Sequence, residues 1–209
     1  MSIAFQGSLF EAPGDVTPGP LAGAVRRTVL GDGAWIDLLP GWVPGADALF
    51  TRLVDVVPWR AERRTMYDRL VEVPRLLCMY GEGKPLPDPA LVAVKAALDR
   101  HYASELGEPF VTAGMCLYRD GRDSVAWHGD RIGRSATDDT MVAIVSLGAP
   151  RSLLLRPRGG GTTVRNDLGH GDLIVMGGSC QRTWEHAVPK TVRPVGPRLS
   201  IQFRPRGVF

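Results

Sequence analysis

After Gly107 the chain breaks into short apolar runs, VTAGMCLYR, MVAIVSLG, SLLLRP, DLIVMGG, TWEHAV and RLSIQFR, with Gly, Pro, Asn or Asp between most of them. Regularly spaced short strands of this kind predict an all-β sandwich or barrel rather than βαβ units. Upstream the pattern differs. Residues 26–39 read as short strands about a Gly31-Asp32-Gly33 turn. Leu49, Phe50, Leu53, Val54 and Val57 recur at helical spacing until Pro58 ends the run. The stretch that follows, PWRAERRTMYDRLVEVPRLLCMYGEGKPLPDP, is basic and aromatic and reads as a long connection with short strands. Asp88-Pro89 pairs an N-capping carboxylate with proline at the first helical position, so a helix should run to about Leu106 with Leu91, Val94, Leu98 and Tyr102 on one face. Residues 1–25, rich in Gly, Pro and Ala, read as an extended or flexible arm. The expectation is one domain over residues 26–209, mainly β with α (an α+β fold), with a helical part (26–106) ahead of a β-rich core (107–209).

Size and composition agree. The 209 residues suffice for one domain with a sizeable core, and 44% hydrophobic with 22% charged residues is ordinary for a soluble globular protein. No apolar run approaches the ~20 residues of a membrane span, and the N-terminal segment lacks the basic and apolar regions of a secretory signal. Cys78, Cys116 and Cys180 are odd in number and widely spaced, which predicts neither a disulfide framework nor a CxxC metal knuckle and points to a reducing cytoplasm. The net charge of +3 hides an asymmetry: residues 1–118 carry 11 Lys/Arg against 14 Asp/Glu, and residues 119–209 carry 14 against 8. A basic half can face an anionic partner, nucleic acid first among them. Arginine outnumbers lysine 22 to 3, so part of that charge is also read as solvated surface.

Four histidines occur, His101, His128, His170 and His186, and two of them open the same tripeptide, His128-Gly129-Asp130 and His170-Gly171-Asp172. Residues i and i+2 of a strand share a face, so an H-x-D there presents an imidazole and a carboxylate to one point. With a distant third histidine the set becomes a two-histidine, one-carboxylate triad that leaves open positions on Fe(II). His186 follows Asp130 by 56 residues, room for several strands, whereas His170 precedes His186 by only 16 and sits in a turn entering a strand. His101 and His170 are therefore read as hydrogen-bonded structural residues. Arg198 lies 12 residues beyond His186, in RLSIQFR, and a buried dianion needs such a fixed, permanently charged partner.

Over roughly residues 58–206 the chain resembles the AlkB family of Fe(II)/2-oxoglutarate-dependent dealkylases of nucleic acid bases. The resemblance rests on Cys116-Leu117-Tyr118, DSVAWHGD, VSLGAPR, HGDLIVMGG, TWEHAVP and RLSIQFR, in that order, and most specifically on the pair Arg198 and Arg204. It implies a double-stranded β-helix, a jelly-roll barrel buttressed by N-terminal helices, with residues 26–106 holding a substrate lid. It implies iron on His128, Asp130 and His186, and 2-oxoglutarate held by Arg198 with Arg204, Tyr118, Ser200 and Cys116 beside it. The chain departs from the family in having Cys116 and Ser200 where asparagines are usual, Ile132 where repair enzymes often have an acid, and a shortened lid after PRLLCMYG.

The implied reaction consumes Fe(II)-bound O2 and 2-oxoglutarate, releases succinate and CO2, and removes an N-alkyl group as an aldehyde from a base such as 1-methyladenine or 3-methylcytosine. A stacked base is out of reach, so the implied partner is alkylated DNA, single-stranded for preference, with RNA as an alternative. Electron-rich Trp59, Tyr67, Met79, Tyr80 and Trp127 are candidates to line the base pocket. Arg131, Arg134 and Arg151, with Arg156 and Arg158, are candidates to grip phosphates. A monomeric DNA-repair enzyme of the bacterial cytosol, with no membrane partner, is the expectation. A 2-oxoglutarate-dependent hydroxylase of a small molecule or protein is the alternative reading.

Overall fold

The computed structural model describes residues 16–66, 69–130 and 132–208. Twelve strands are described: β1 (Arg26–Gly31), β2 (Ala34–Leu39), β3 (Arg60–Met66), β4 (Arg69–Tyr80), β5 (Thr112–Tyr118), β6 (Val125–His128), β7 (Val142–Gly148), β8 (Arg151–Pro157), β9 (Val164–Leu168), β10 (Asp172–Gly178), β11 (Trp184–Val188) and β12 (Arg198–Arg204). Helix α1 (Ala46–Val56) precedes β3, α2 (Pro89–Leu106) precedes β5, and a single turn α3 (Cys180–Thr183) precedes β11. The strands form an eight-stranded antiparallel sheet, β1-β2-β10-β7-β12-β5-β4-β3, facing a four-stranded sheet, β6-β11-β8-β9. This is the double-stranded β-helix, mainly β, that the strand pattern and the resemblance imply.

Strand periodicity separates two cores. On β12, Leu199, Ile201 and Phe203 join Ala113, Met115 and Leu117 of β5 and Val145 and Leu147 of β7 against Leu49, Phe50 and Leu53 of α1 and Leu91, Val94 and Leu98 of α2. Alternate residues, among them Val142, Ile144, Ile174 and Tyr118, face the small sheet. Arg198, Ser200, Gln202 and Arg204 share that inner face by the period of two. Helix α2 runs over the expected residues. The Asp88 carboxylate accepts from the Ala90 N–H at 2.9 Å, and Gly107 ends the helix in the left-handed region at φ 74°. The same carboxylate receives Arg52 at 2.7 Å, tying α1 to α2.

Two expectations are corrected here. The stretch from Pro58 to Asp88 is not chiefly connection: it folds as the hairpin β3–β4, whose 12-residue second strand pairs with β5 and extends the large sheet. Residues 26–106 are also more than a helical part, because they supply four of that sheet's eight strands. Of the N-terminal arm, residues 1–15 lie outside the described residues, while Val16 and Leu21 are buried and Gly19 exchanges hydrogen bonds with Trp42. Among the described residues no helix is long and apolar enough to cross a membrane.

Candidate metal centre and active-site groove

Strands β6 and β11 pair so that His128 and His186 stand opposite each other, with ring centroids 4.2 Å apart. Asp130 follows β6 by two residues. The nearest ligand atoms of His128, Asp130 and His186 all lie within 4.8 Å of one another, a spacing that one metal ion can bridge. The second His-Gly-Asp stands apart: His170 Nδ1 accepts the Gly148 N–H at 2.7 Å and Nε2 lies 3.1 Å from Asp47, a structural turn as expected.

Each triad member is held in its ligating state. His128 Nδ1 lies 2.9 Å from the Ala126 carbonyl, which can only accept, so Nδ1 donates there and Nε2 is the nitrogen turned toward Asp130. Burial, and after it the neighbouring His128, pushes the His186 imidazole down to about 3, so it is neutral. Burial is the largest single influence on the Asp130 carboxyl and would raise it, but Arg204, His186 and His128 together outweigh it and hold the group below the usual carboxylate range. Arg204 donates through Nη2 at 3.0 Å and Nε at 3.2 Å, both to Asp130 Oδ2. The buried Ser135 hydroxyl donates to the Asp130 carbonyl, which fixes the loop beyond it.

The middle residue of the H-x-D has no room to be anything but glycine. A Cβ on Gly129 would lie 2.7 Å from Arg158 Nη2, 2.9 Å from the Gln181 carbonyl and 3.0 Å from the Trp184 carbonyl. Two of these neighbours are backbone that cannot step aside. Gly129→Ala is therefore expected to displace the His128–Asp130 pair and lower Mn(II) or Fe(II) affinity at least as much as loss of a ligand-orienting contact does, about 10–100-fold. Metal titration followed by calorimetry checks this. Unchanged affinity would mean that the turn yields without moving its ligands.

On the large sheet, Arg198 is 1% exposed and its Nε donates to the Ser146 hydroxyl at 2.9 Å, while Nη1 has no partner. Tyr118 packs beside it, ring centroid 5.2 Å from the guanidinium, and burial pushes its phenol up to about 12, so it presents a neutral O–H. Among the residues lining this cavity Asp130 is the only carboxylate, and Arg204 already occupies it. A buried guanidinium with an unmatched N–H calls for an anion. The donor set thus fits both a divalent metal on the triad and a carboxylate on Arg198. Tyr118, Cys116, Ser200 and Arg204 line the same cavity, so the structure brings together all eight residues expected at the metal and cosubstrate positions.

Two further lining residues escaped the sequence reading. Arg75 of β4 donates to the Ser124 carbonyl at 3.2 Å while its buried Nε is unpartnered. Gln202 Nε2 donates to Ser200 Oγ at 2.7 Å, which leaves the Ser200 hydroxyl hydrogen free to donate into the cavity. Parity along β12 could have found Gln202, since it lies four residues beyond Arg198 on the same face. Arg75, Cys116, Gln202 and Arg204 also line a second, outer groove of about 650 Å³, so the metal cavity and this groove adjoin.

The residues expected to bind substrate are scattered. Met79 and Tyr80 line the outer groove. Trp59 instead packs on the helical core, its Nε1 donating to the Val54 carbonyl. Trp127 lies on the small sheet under the Arg156 guanidinium, 4.2 Å away. Arg151, expected on a phosphate, is 5% exposed and donates to the carbonyls of Asp120, Asp123 and Pro189, which makes it a buried tie between loops. Arg134 is paired with Glu108, and Arg156 and Arg158 share Glu185. Tyr67 and Arg131 lie outside the described residues.

Residues 38–204 match the family model of the 2OG-Fe(II) oxygenase superfamily. The chain is 32% identical over 196 residues to the alpha-ketoglutarate-dependent dioxygenase alkB homolog 3 of Bos taurus and of Homo sapiens, spanning 81% of this chain and 67% of each of those proteins. It is 26% identical to the DNA oxidative demethylase ALKBH2 of Homo sapiens, over 76% of this chain and 68% of that one. Among solved structures, OsALKBH1 superposes with a TM-score of 0.61 at 16% identity, covering 86% of this chain and 99% of that chain. A prolyl hydroxylase of Trichoplax adhaerens, in complex with a hypoxia inducible factor peptide, superposes at 0.59 with 11% identity, covering 81% and 82%.

Proposed function

The chain belongs to the 2OG-Fe(II) oxygenase superfamily as an AlkB-like, 2-oxoglutarate-dependent dioxygenase, and from that premise we propose that it oxidatively dealkylates N-alkylated bases, such as 1-methyladenine and 3-methylcytosine, in DNA. The observation that carries the reading is the shared wall: the triad cavity adjoins a groove of about 650 Å³, ample for one flipped base. The relatives' names, among them a DNA oxidative demethylase, support the same substrate class.

In this reading His128, Asp130 and His186 hold the iron and Arg198 pairs with the distal carboxylate of 2-oxoglutarate. With O2, that pair supplies the oxidising power to hydroxylate an N-alkyl carbon, with succinate and CO2 as co-products. The protein's part is to bind, orient and exclude water. Arg204 keeps Asp130 ionised and aimed. Tyr118 and Ser200 offer neutral O–H donors, and Cys116 closes the row beside them. Met79 presents a polarizable sulfur to the cationic face of an alkylated base, while Tyr80, the next residue on β4, packs against the helical core.

Mass spectrometry of short oligonucleotides bearing 1-methyladenine or 3-methylcytosine tests the proposal, with DNA and RNA versions incubated side by side with protein, Fe(II), 2-oxoglutarate and O2. The expected result is loss of one methylene mass that requires both iron and 2-oxoglutarate, faster on DNA. Faster loss on RNA would reassign the enzyme as an RNA demethylase. Succinate formation with no loss from either would retain the oxygenase and remove the nucleic acid substrate.

A further inference from the structure

Most arginines of the basic half are already matched. Arg134 faces Glu108, Arg156 and Arg158 share Glu185, Arg165 faces Asp167, Arg182 faces Asp139, and Arg206 faces Glu82. Among the described residues, the exposed Arg and Lys side chains without an ion pair or side-chain hydrogen bond are Arg26, Arg60, Lys84, Arg100, Lys190 and Arg193. Of these only Arg60 and Lys84 border the outer groove. Arg26 is on β1, at the opposite edge of the large sheet, and Arg100 is on α2.

The register places Arg60 with respect to the chemistry. Ser200, Cys116, Leu77 and Arg60 pair in one row across β12, β5, β4 and β3. Three strand spacings separate the ends of that row, ~14 Å. Arg60 therefore marks the sheet edge where the groove floor ends, in line with the cavity. Lys84 also borders the groove, from the turn beyond the end of β4. A base entering the groove would leave its own backbone outside, within reach of these two exposed cations at the rim.

We infer that Arg60 and Lys84 grip the phosphates that flank the entering base, and that the arginine-dense small sheet takes no part in holding the strand. The inference rests on the nucleic acid reading and deepens it. An exposed cation with no partner has the least to lose on meeting a phosphate, whereas Arg156 would first have to leave Glu185. The occupant that fits is a single strand, because one sheet edge and one strand end offer two phosphate contacts along a single backbone.

The test is anisotropy of a labelled, alkylated single-stranded oligonucleotide across a salt series, on wild type, Arg60→Gln/Lys84→Gln and Arg156→Gln, with 2-oxoglutarate calorimetry to verify the folded pocket. Two lost contacts should make the slope of log K against log salt shallower by ~1.4, at ~0.7 per phosphate on a single strand. Arg156→Gln should keep the wild-type slope. Should the double variant misfold, each single variant is expected to lose ~0.7. An unchanged slope in the folded double variant overturns the inference, as does an equal loss in Arg156→Gln. A wild-type protein with no salt-dependent affinity would overturn the nucleic acid reading itself, and this inference with it.

Discussion

Arg198→Met is expected to weaken 2-oxoglutarate binding by about 10²–10³-fold while leaving oligonucleotide affinity within a factor of two. The magnitude is that of truncating one partner of a buried charged pair, ~3–4 kcal/mol. Methionine is the better replacement than alanine, because Arg198 is 1% exposed and a large void beside Tyr118 would confuse loss of charge with loss of packing. Calorimetry on Mn(II)-loaded protein, which binds the cosubstrate without turnover, reads the effect directly. Equal losses for 2-oxoglutarate and oligonucleotide would show that the unmatched Nη1 of Arg198 does not serve the cosubstrate.

Asp130→Ala is expected to take turnover to background and metal affinity down by more than ~100-fold, beyond what a merely orienting partner contributes. The fold should survive. The carboxylate is buried, so its burial is itself costly, and its partner Arg204 retains a route to solvent with 12% of its side chain exposed. Circular dichroism and metal titration on the same preparation separate the two effects. A protein that still turns over 2-oxoglutarate without this carboxylate would remove Asp130 from the metal site, and the same holds for His128→Ala.

How much of this was legible depended on how local each cause is. Helix α2 announced itself because its cap, its proline and its apolar face lie within one stretch of 20 residues. The triad was legible because only one residue separates His128 from Asp130 and because two histidines on paired strands need only adequate chain between them, although Asp130 falls just beyond the end of β6 rather than within a strand as expected. Tyr118, Ser200 and Arg204 followed from the motif order. The hairpin β3–β4 was not legible, since its basic, aromatic residues gain order from pairing with β5, which comes only after an intervening helix. Arg151 was misread for the same reason: three carbonyls from distant loops decide that it is a buried tie, and sequence spacing carries no trace of them. Net charge by halves misled as well, because it cannot distinguish the paired Arg156 from the unpaired Arg60.

The position of β12 has a consequence for biogenesis. It follows every other strand in the chain yet lies in the middle of the large sheet, between β7 and β5. During synthesis the sheet must wait as two unjoined halves, each with an open edge able to recruit a foreign strand. The keystone that closes those edges is the same strand that carries Arg198, Ser200, Gln202 and Arg204. Architecture and chemistry are therefore completed in one late event, and a nascent chain stalled before residue 198 would be both inert and prone to aggregate.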